Sequence, residues 1–469
     1  MRKLQEKPIV LLGCLVLFAA SLGGQVGGRA QRIGRLPGLD PNQSVSLEIS
    51  PPVQQPISLV YDAASAEMLL VVPTLTPAGD YQARIGWRDT FGQSRTKTLS
   101  LQIQSPPPIR SAGGPPVILI NGFQAPSSLL DVILNGQCPP SQSTPRSRNT
   151  FGELENVLTA SGYQVLFFDN CVECRGGSIE DCGQALGRFI RGYPTDSGPG
   201  FDQADLVGHS MGGLIARSYL AGMKPDGTFD PPDPHRVRKL ALLATPNFGS
   251  YIAVNLPLVS PQLPELMSGS DFSWRLNTWN QGKDDLRGID ALGLIGNGCS
   301  YAFTDRPQAP LDNAADGLVT LMSGSLNFAR GPERTRVLPY RHTDATLPLC
   351  DNNAPGLAIV DGPAHLTAMA LTSFLSGTDD WRNIGTSASN DPVLIRYGAG
   401  YASYPGADRL ISGAGVEWTR SEGANPSNVF HTEVLPTEAT DLWFEISGMW
   451  LRLDAFIPAG TTGIYAITP

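Results

Sequence analysis

Histidine is scarce in this chain, with five in 469 residues, so any chemistry that needs an imidazole has few carriers. Basic charge is scarce too: 34 Lys and Arg stand against 43 Asp and Glu, for a net charge of -9. No dense Lys/Arg run overrides that balance, which argues against a nucleic-acid partner. Beyond the amino terminus no apolar stretch approaches the roughly 20 residues that a membrane helix needs. Internal repeats are absent, which excludes a solenoid or propeller. Cys171, Cys174 and Cys182 lie close together without a second ligand pair at zinc-finger spacing, so no metal site is expected.

What is present begins with Arg2, Lys3 and Lys7 before an apolar run over residues 9–20 that ends in small residues. That layout is a secretory signal peptide, assigned to residues 1–25 with cleavage between about 21 and 30. Leu11-Leu12-Gly13-Cys14 loosely resembles a lipoprotein signal, but apolar residues continue past Cys14, where a lipidated cysteine normally closes the run. The mature protein is therefore expected to be secreted or otherwise extracytoplasmic and soluble. Six cysteines remain after cleavage (138, 171, 174, 182, 299 and 350). An even number in an exported chain favours disulfides, whose pairing the sequence leaves open.

Four regions follow from the rhythm of the chain. Residues 40–105 hold short extended segments at 45–49, 69–72, 81–85 and 98–103, punctuated by proline and glycine, which suits a small antiparallel β-sandwich. Ser105-Pro106-Pro107-Pro108 makes a stiff linker. Residues 113–378 alternate compact apolar strands (116–120, 163–168, 204–207, 239–243) with helical patterns near 151–161 and 179–191. That alternation indicates an α/β unit, a mostly parallel sheet covered by helices on both faces. Residues 379–469 return to short strands and turns, as a second small β-domain or a β-extension of the central unit.

With 51 glycines in the chain, a bare Gly-x-Ser-x-Gly arises by chance roughly 0.4 times, so the motif alone is weak. Its context is stronger. An apolar strand ends at Val207, Gly208-His209-Ser210-Met211-Gly212 makes a tight turn, and residues 214–220 begin a helix at once, as in a nucleophile elbow. The bland alternative is a glycine-rich turn whose serine caps the helix. If Ser210 is a nucleophile, the Met211 N–H supplies one oxyanion donor. A second comes from Phe123, in Asn121-Gly122-Phe123 directly after the strand 117–120; the competing reading there is a simple turn.

The acid and then the histidine should follow later strands. Asp316, in Asp316-Gly317-Leu318-Val319, is the expected acid, with Asp305 and Asp312 in reserve; an Asp-Gly turn is the plain alternative. Chain order removes His209 and His235, and His431 lies in the β-rich tail. His365, opening the helical segment 366–375 after Gly362-Pro363-Ala364, is favoured as the third member, with His342 as the alternative. Residues 251–290, with Tyr251, Ile252, Leu256, Leu258, Leu263, Leu266, Met267, Phe272, Trp274 and Trp279, suit a mobile apolar lid, or equally ordinary helical core packing.

Together Ile120-Asn121-Gly122-Phe123, Gly208-His209-Ser210-Met211-Gly212-Gly213, Ala244-Thr245-Pro246-Asn247-Phe248-Gly249-Ser250, Asp316-Gly317-Leu318-Val319 and His365-Leu366-Thr367 resemble bacterial secreted lipases and esterases. More distantly they resemble lecithin:cholesterol acyltransferases and inositol deacylases. The resemblance covers a little over half the chain. It implies an α/β-hydrolase fold with flanking small β-domains, a triad of Ser210, Asp316 and one histidine, no organic cofactor, and a small-molecule or lipid ester as substrate, with transient contact to a lipid surface. Asn121 stands where many such enzymes have His, and a cysteine-containing insertion separates the two candidate histidines. The expected activity is cleavage of carboxylic esters; the alternatives are acyl transfer to an alcohol or a non-catalytic adhesion or carbohydrate-binding role.

Overall fold

A computed structural model describes residues 21–26, 29–39, 45–124, 146–250, 261–300, 314–344 and 353–387, except 63, 64, 66, 111–113, 176, 268, 269, 281–284, 320 and 327–333; beyond 387 it describes the strands alone. Most of the signal segment, Cys138, Cys350, Asp305 and Asp312 lie outside these residues.

The central unit is a seven-stranded sheet. Its strands are β1 (Val117–Ile120), β2 (Val165–Phe168), β3 (Ala204–His209), β4 (Val237–Leu243), β5 (Asp290–Gly296), β6 (Thr335–Leu338) and β7 (Thr386–Ser387), in spatial order β7-β6-β5-β4-β3-β1-β2. The first six run parallel, and β7 closes one edge antiparallel. Side chains alternate across a strand, so each strand feeds two cores. Ile118 and Ile120 of β1 join Leu206, Leu240 and Leu242 under helices α2 (Ile179–Gly192) and α3 (Met211–Ala221), a core that also holds Phe272 and Leu276 of α4 (Asp271–Thr278). Val117 and Leu119 join Val207, Leu243, Leu292 and Leu294 under α1 (Leu154–Ala160) and α5 (Leu366–Ser376). Burial on both faces explains why these strands read as unbroken apolar runs. The chain leaves β1 for β2 on one side and returns to β3 on the other, so a crevice opens at the carboxyl ends of β1 and β3. This is the α/β-hydrolase fold.

The unit extends past the expected end at 378. Trp381 packs edge-on against Phe374 of α5, and β7 pairs with β6. A two-residue strand carries no periodic signal, which is why the boundary was not legible.

Two sheets of four and three strands form the amino-terminal sandwich, with Ile33, Met68, Leu70, Tyr81, Ile85, Trp87, Leu99 and Leu101 between them. The strands expected at 45–49, 69–72, 81–85 and 98–103 are found at Ser46–Ser50, Glu67–Val72, Gly79–Arg88 and Ser94–Gln104. The sandwich starts earlier than residue 40, because Ser21–Val26 pairs along Ser94–Gln104 and Arg29–Gly34 along Glu67–Val72. The sequence RAQRIG is polar at three of its six positions and carries one large apolar residue, too little to read as a strand; pairing with a buried neighbour makes it one. The tail forms a closed barrel of seven strands, from Leu394–Arg396 to Gly463–Ile467, which pair in parallel to close it.

Cys174 and Cys182 form a disulfide, and Cys171 and Cys299 are also disulfide-bonded. No helix among the described residues is long and apolar enough to cross a membrane.

Candidate active site

Ser210 sits between β3 and α3 with φ 55° and ψ −128°. A non-glycine residue in that region is strained and persists only where its surroundings over-determine it. Those surroundings are backbone packed without room for side chains. A Cβ on Gly208 would lie 2.6 Å from the Gly213 nitrogen, and one on Gly212 would lie 2.3 Å from the Ile120 oxygen. The Ser210 N–H donates to the Leu243 carbonyl at 2.8 Å, tying the turn to β4. The motif's glycines thus permit the close approach that forces Ser210 outward, where it remains partly exposed.

Asp316 lies in the long connection after β5 and is buried. Its Oδ1 accepts from the N–H groups of Leu318 (3.0 Å) and Val319 (2.7 Å). Ser250, on the turn after β4, donates its hydroxyl to the Leu318 carbonyl at 2.6 Å, and Asn247 Nδ2 reaches the Gly324 and Ser325 carbonyls at 3.3 and 3.1 Å. The Thr-Pro-Asn-Phe-Gly-Ser stretch therefore braces the acid's loop.

His342, four residues beyond the end of β6, meets both groups. Its backbone N–H donates to the Asp316 carbonyl at 2.8 Å, its Nδ1 lies 2.7 Å from Asp316 Oδ2, and its Nε2 lies 2.9 Å from Ser210 Oγ. A carboxylate can only accept, so Nδ1 carries the proton, and Nε2 is left as an acceptor facing the serine hydroxyl. Beneath the ring lies His209, whose Nε2 donates to the His342 carbonyl at 3.2 Å. Burial, and then the neighbouring His342, push His209 well below the usual imidazole range, so it is neutral.

His365, favoured from sequence, is not part of this chain of hydrogen bonds. Its ring stacks on Tyr340 at 4.4 Å between centroids, and its Nδ1 accepts from the Thr367 N–H at 3.3 Å. It caps the amino terminus of α5. The physical reason is reach: β6 ends beside β5, which places the residues just after it next to Asp316, whereas 365 caps α5, a helix packed on the face of the sheet that carries α1.

Gly122, after β1, runs directly against the serine: a Cβ there would be 2.7 Å from Ser210 Cβ and 3.0 Å from the His209 carbonyl. Among the described residues neither the Phe123 nor the Met211 N–H has a hydrogen-bond partner. Asn121 does not extend toward the serine as a side chain; it is buried, and its Oδ1 accepts from the Asn170 N–H at 2.9 Å.

Of the expected lid, Leu263, Leu266 and Phe272 are buried in the core beneath α2 and α3, with Met267 and Trp279 packed against them. Tyr251, Ile252, Leu256 and Leu258 lie outside the described residues, as does the side chain of Trp274. No group of three His, Cys, Asp or Glu side chains positioned to hold a metal occurs among the described residues. Sequence reasoning passed over His209, excluded by chain order, and Asn247, seen only as part of a motif.

No family model and no curated protein matches the chain. Among solved structures it is similar to phospholipase PlaB from Legionella pneumophila, at 18% identity over 57% of this chain and 60% of that one, with a TM-score of 0.37. The chain thus spans under two thirds of that phospholipase. It is also similar to lipase BlEst2 from Bacillus licheniformis in propeptide form (15% identity, 76% of this chain and 72% of that one, TM-score 0.37) and to a metagenomic carboxyl esterase (16%, 58% and 79%, TM-score 0.35). Likenesses this remote bear on neither activity nor substrate.

Proposed function

We propose that the chain is a carboxylic-ester hydrolase with Ser210 as nucleophile, His342 as general base and acid, and Asp316 as the group that orients the imidazole. The observation that carries this is the unbroken run Ser210 Oγ, His342 Nε2, His342 Nδ1, Asp316 Oδ2 at 2.9 and 2.7 Å, on a strained turn that presents the hydroxyl. As Ser210 Oγ bonds to the ester carbonyl carbon, its proton passes to His342 Nε2, and Asp316 stabilises the imidazolium. The carbonyl oxygen becomes an oxyanion met by the N–H groups of Met211 and Phe123. Collapse breaks the bond to the alcohol, which leaves with the proton from His342. Water then attacks the acyl-enzyme by the same route and regenerates Ser210. The Cys174–Cys182 disulfide, with Cys171 and Cys299 also disulfide-bonded, supports an exported enzyme.

The test is turnover of p-nitrophenyl esters of short and long acyl chains; preference for the long chains supports a lipid-like substrate. Ser210→Ala and His342→Ala should each lose about 10⁴-fold or more in kcat. Undiminished turnover by folded Ser210→Ala protein would end the proposal.

A further inference from the structure

Between β1 and β2 the structure contains a buried carboxamide whose hydrogen bonds serve the oxyanion loop. Asn170 follows β2, is fully buried, and directs its Nδ2 at two backbone carbonyls on β1's loop: Asn121 at 3.1 Å and Gly122 at 2.8 Å. Gln124 Nε2 is a longer second donor to the Gly122 carbonyl, at 3.4 Å. Two acceptors on one side settle which end of the amide is nitrogen. The cost falls on the other end, since Asn170 Oδ1 has no partner among the described residues. A buried polar atom left unpaired is unfavourable, so the two donated bonds are what the arrangement retains.

The sheet order turns these bonds into a direction. β1 lies between β2 and β3, so Asn170 stands on one side of the Gly122 peptide and Ser210 on the other. The Gly122–Phe123 peptide is trans, and a trans peptide points its C=O and N–H to opposite sides. With the Gly122 carbonyl drawn toward Asn170, the Phe123 N–H is turned toward Ser210. Asn121 completes the clamp by accepting from the Asn170 N–H at 2.9 Å, and Asp169 Oδ1 receives Asn121 Nδ2 at 3.4 Å.

We propose that Asn170 is a positioning residue for oxyanion stabilisation: its carboxamide holds the Asn121 and Gly122 carbonyls so that the Phe123 N–H is aimed at the oxygen of the reacting ester. This rests on the ester-hydrolase reading above. It assigns this work to a residue 47 positions after Phe123 in sequence, just beyond the neighbouring strand β2.

The experiment compares wild type, Asn170→Asp and Ser210→Ala in hydrolysis of p-nitrophenyl butyrate and in inhibition by an alkyl trifluoromethyl ketone. That ketone adds to Ser210 as a hemiketal whose oxyanion occupies the same place as that of the reaction. Aspartate keeps the shape but turns a carboxylate on two carbonyl oxygens. Asn170→Asp should lower kcat at least about tenfold, short of or equal to the about 10²–10³ lost when an oxyanion donor is removed outright. KM should stay within about threefold, and the inhibition constant of the ketone should rise by the factor lost in kcat. If Asn170→Asp does not fold, Asn170→Ser, which leaves space for a water to bridge, is measured in the same way. Folded Asn170 variants with wild-type kcat, or with kcat lowered but ketone affinity unchanged, overturn the positioning role while an inactive Ser210→Ala leaves the hydrolase reading intact. Activity retained by Ser210→Ala overturns both.

Discussion

Glu173 gives the most quantitative prediction. It ends the single helical turn Asn170–Glu173, is buried, and accepts from the Thr74 N–H at 3.1 Å and from the Thr74 hydroxyl, linking the α/β unit to the sandwich. Burial raises its carboxyl from 4.5 to about 7; the Thr74 hydrogen bonds and Arg188 work against that rise, and Asp169 adds to it. At about 1.4 kcal/mol per pH unit, the difference corresponds to about 3 kcal/mol. Because the folded value lies above the unfolded one, the folded state binds the proton more tightly. The resulting stability is fully present below pH 4.5 and is lost as pH rises through about 7. Glu173→Gln keeps an oxygen for both Thr74 donors and removes the ionisation. It should therefore stabilise the protein by about 3 kcal/mol at pH 8.5, a rise of several degrees in melting temperature, and by under about 1 kcal/mol at pH 5. Melting curves of both proteins at the two pH values test this. An equal effect at both, or destabilisation confined to pH 8.5, would refute the assignment of the cost to a buried charge.

Two substitutions probe the site's geometry. His365→Ala should keep kcat within about threefold while lowering stability by about 1 kcal/mol through loss of the α5 cap, read from turnover and melting of the same sample; a loss as large as that of His342→Ala would contradict the placement of His365 against Tyr340. Gly122→Ala introduces a methyl 2.7 Å from Ser210 Cβ and 3.0 Å from the His209 carbonyl, so the oxyanion loop must shift away from the serine. Its kcat should fall about 100-fold or more with secondary structure unchanged by circular dichroism, as expected when a donor is displaced by about 1 Å, and retained activity would show that the loop does not serve the reaction.

Much of the central unit could be read from local pattern. Unbroken apolar strands, the glycines around Ser210 and the immediate onset of α3 are short-range features, and each has one local physical reading: burial on both faces, close backbone approach, a helix beginning at a turn. The elbow, the Asp316 loop and the Asn121-Gly122-Phe123 turn were legible for that reason. The polar strand Arg29–Gly34 and the two-residue β7 were not, because their conformation comes from the neighbours they pair with.

The choice between His342 and His365 is of the same long-range kind. Both follow the last parallel strand, and sequence order treats them alike. The pairing of Gly296 with Leu338 sets the residues after β6 beside the loop of Asp316, and that register alone brings His342 to the serine. Asn170 was invisible for a related reason: nothing in an asparagine after an apolar strand marks it, and its role arises only when β1 is laid between β2 and β3. Sequence by itself determined which local turns exist and which side chains they present. Tertiary structure decided which of those side chains meet, because strand order and register bring together residues that are distant in the chain.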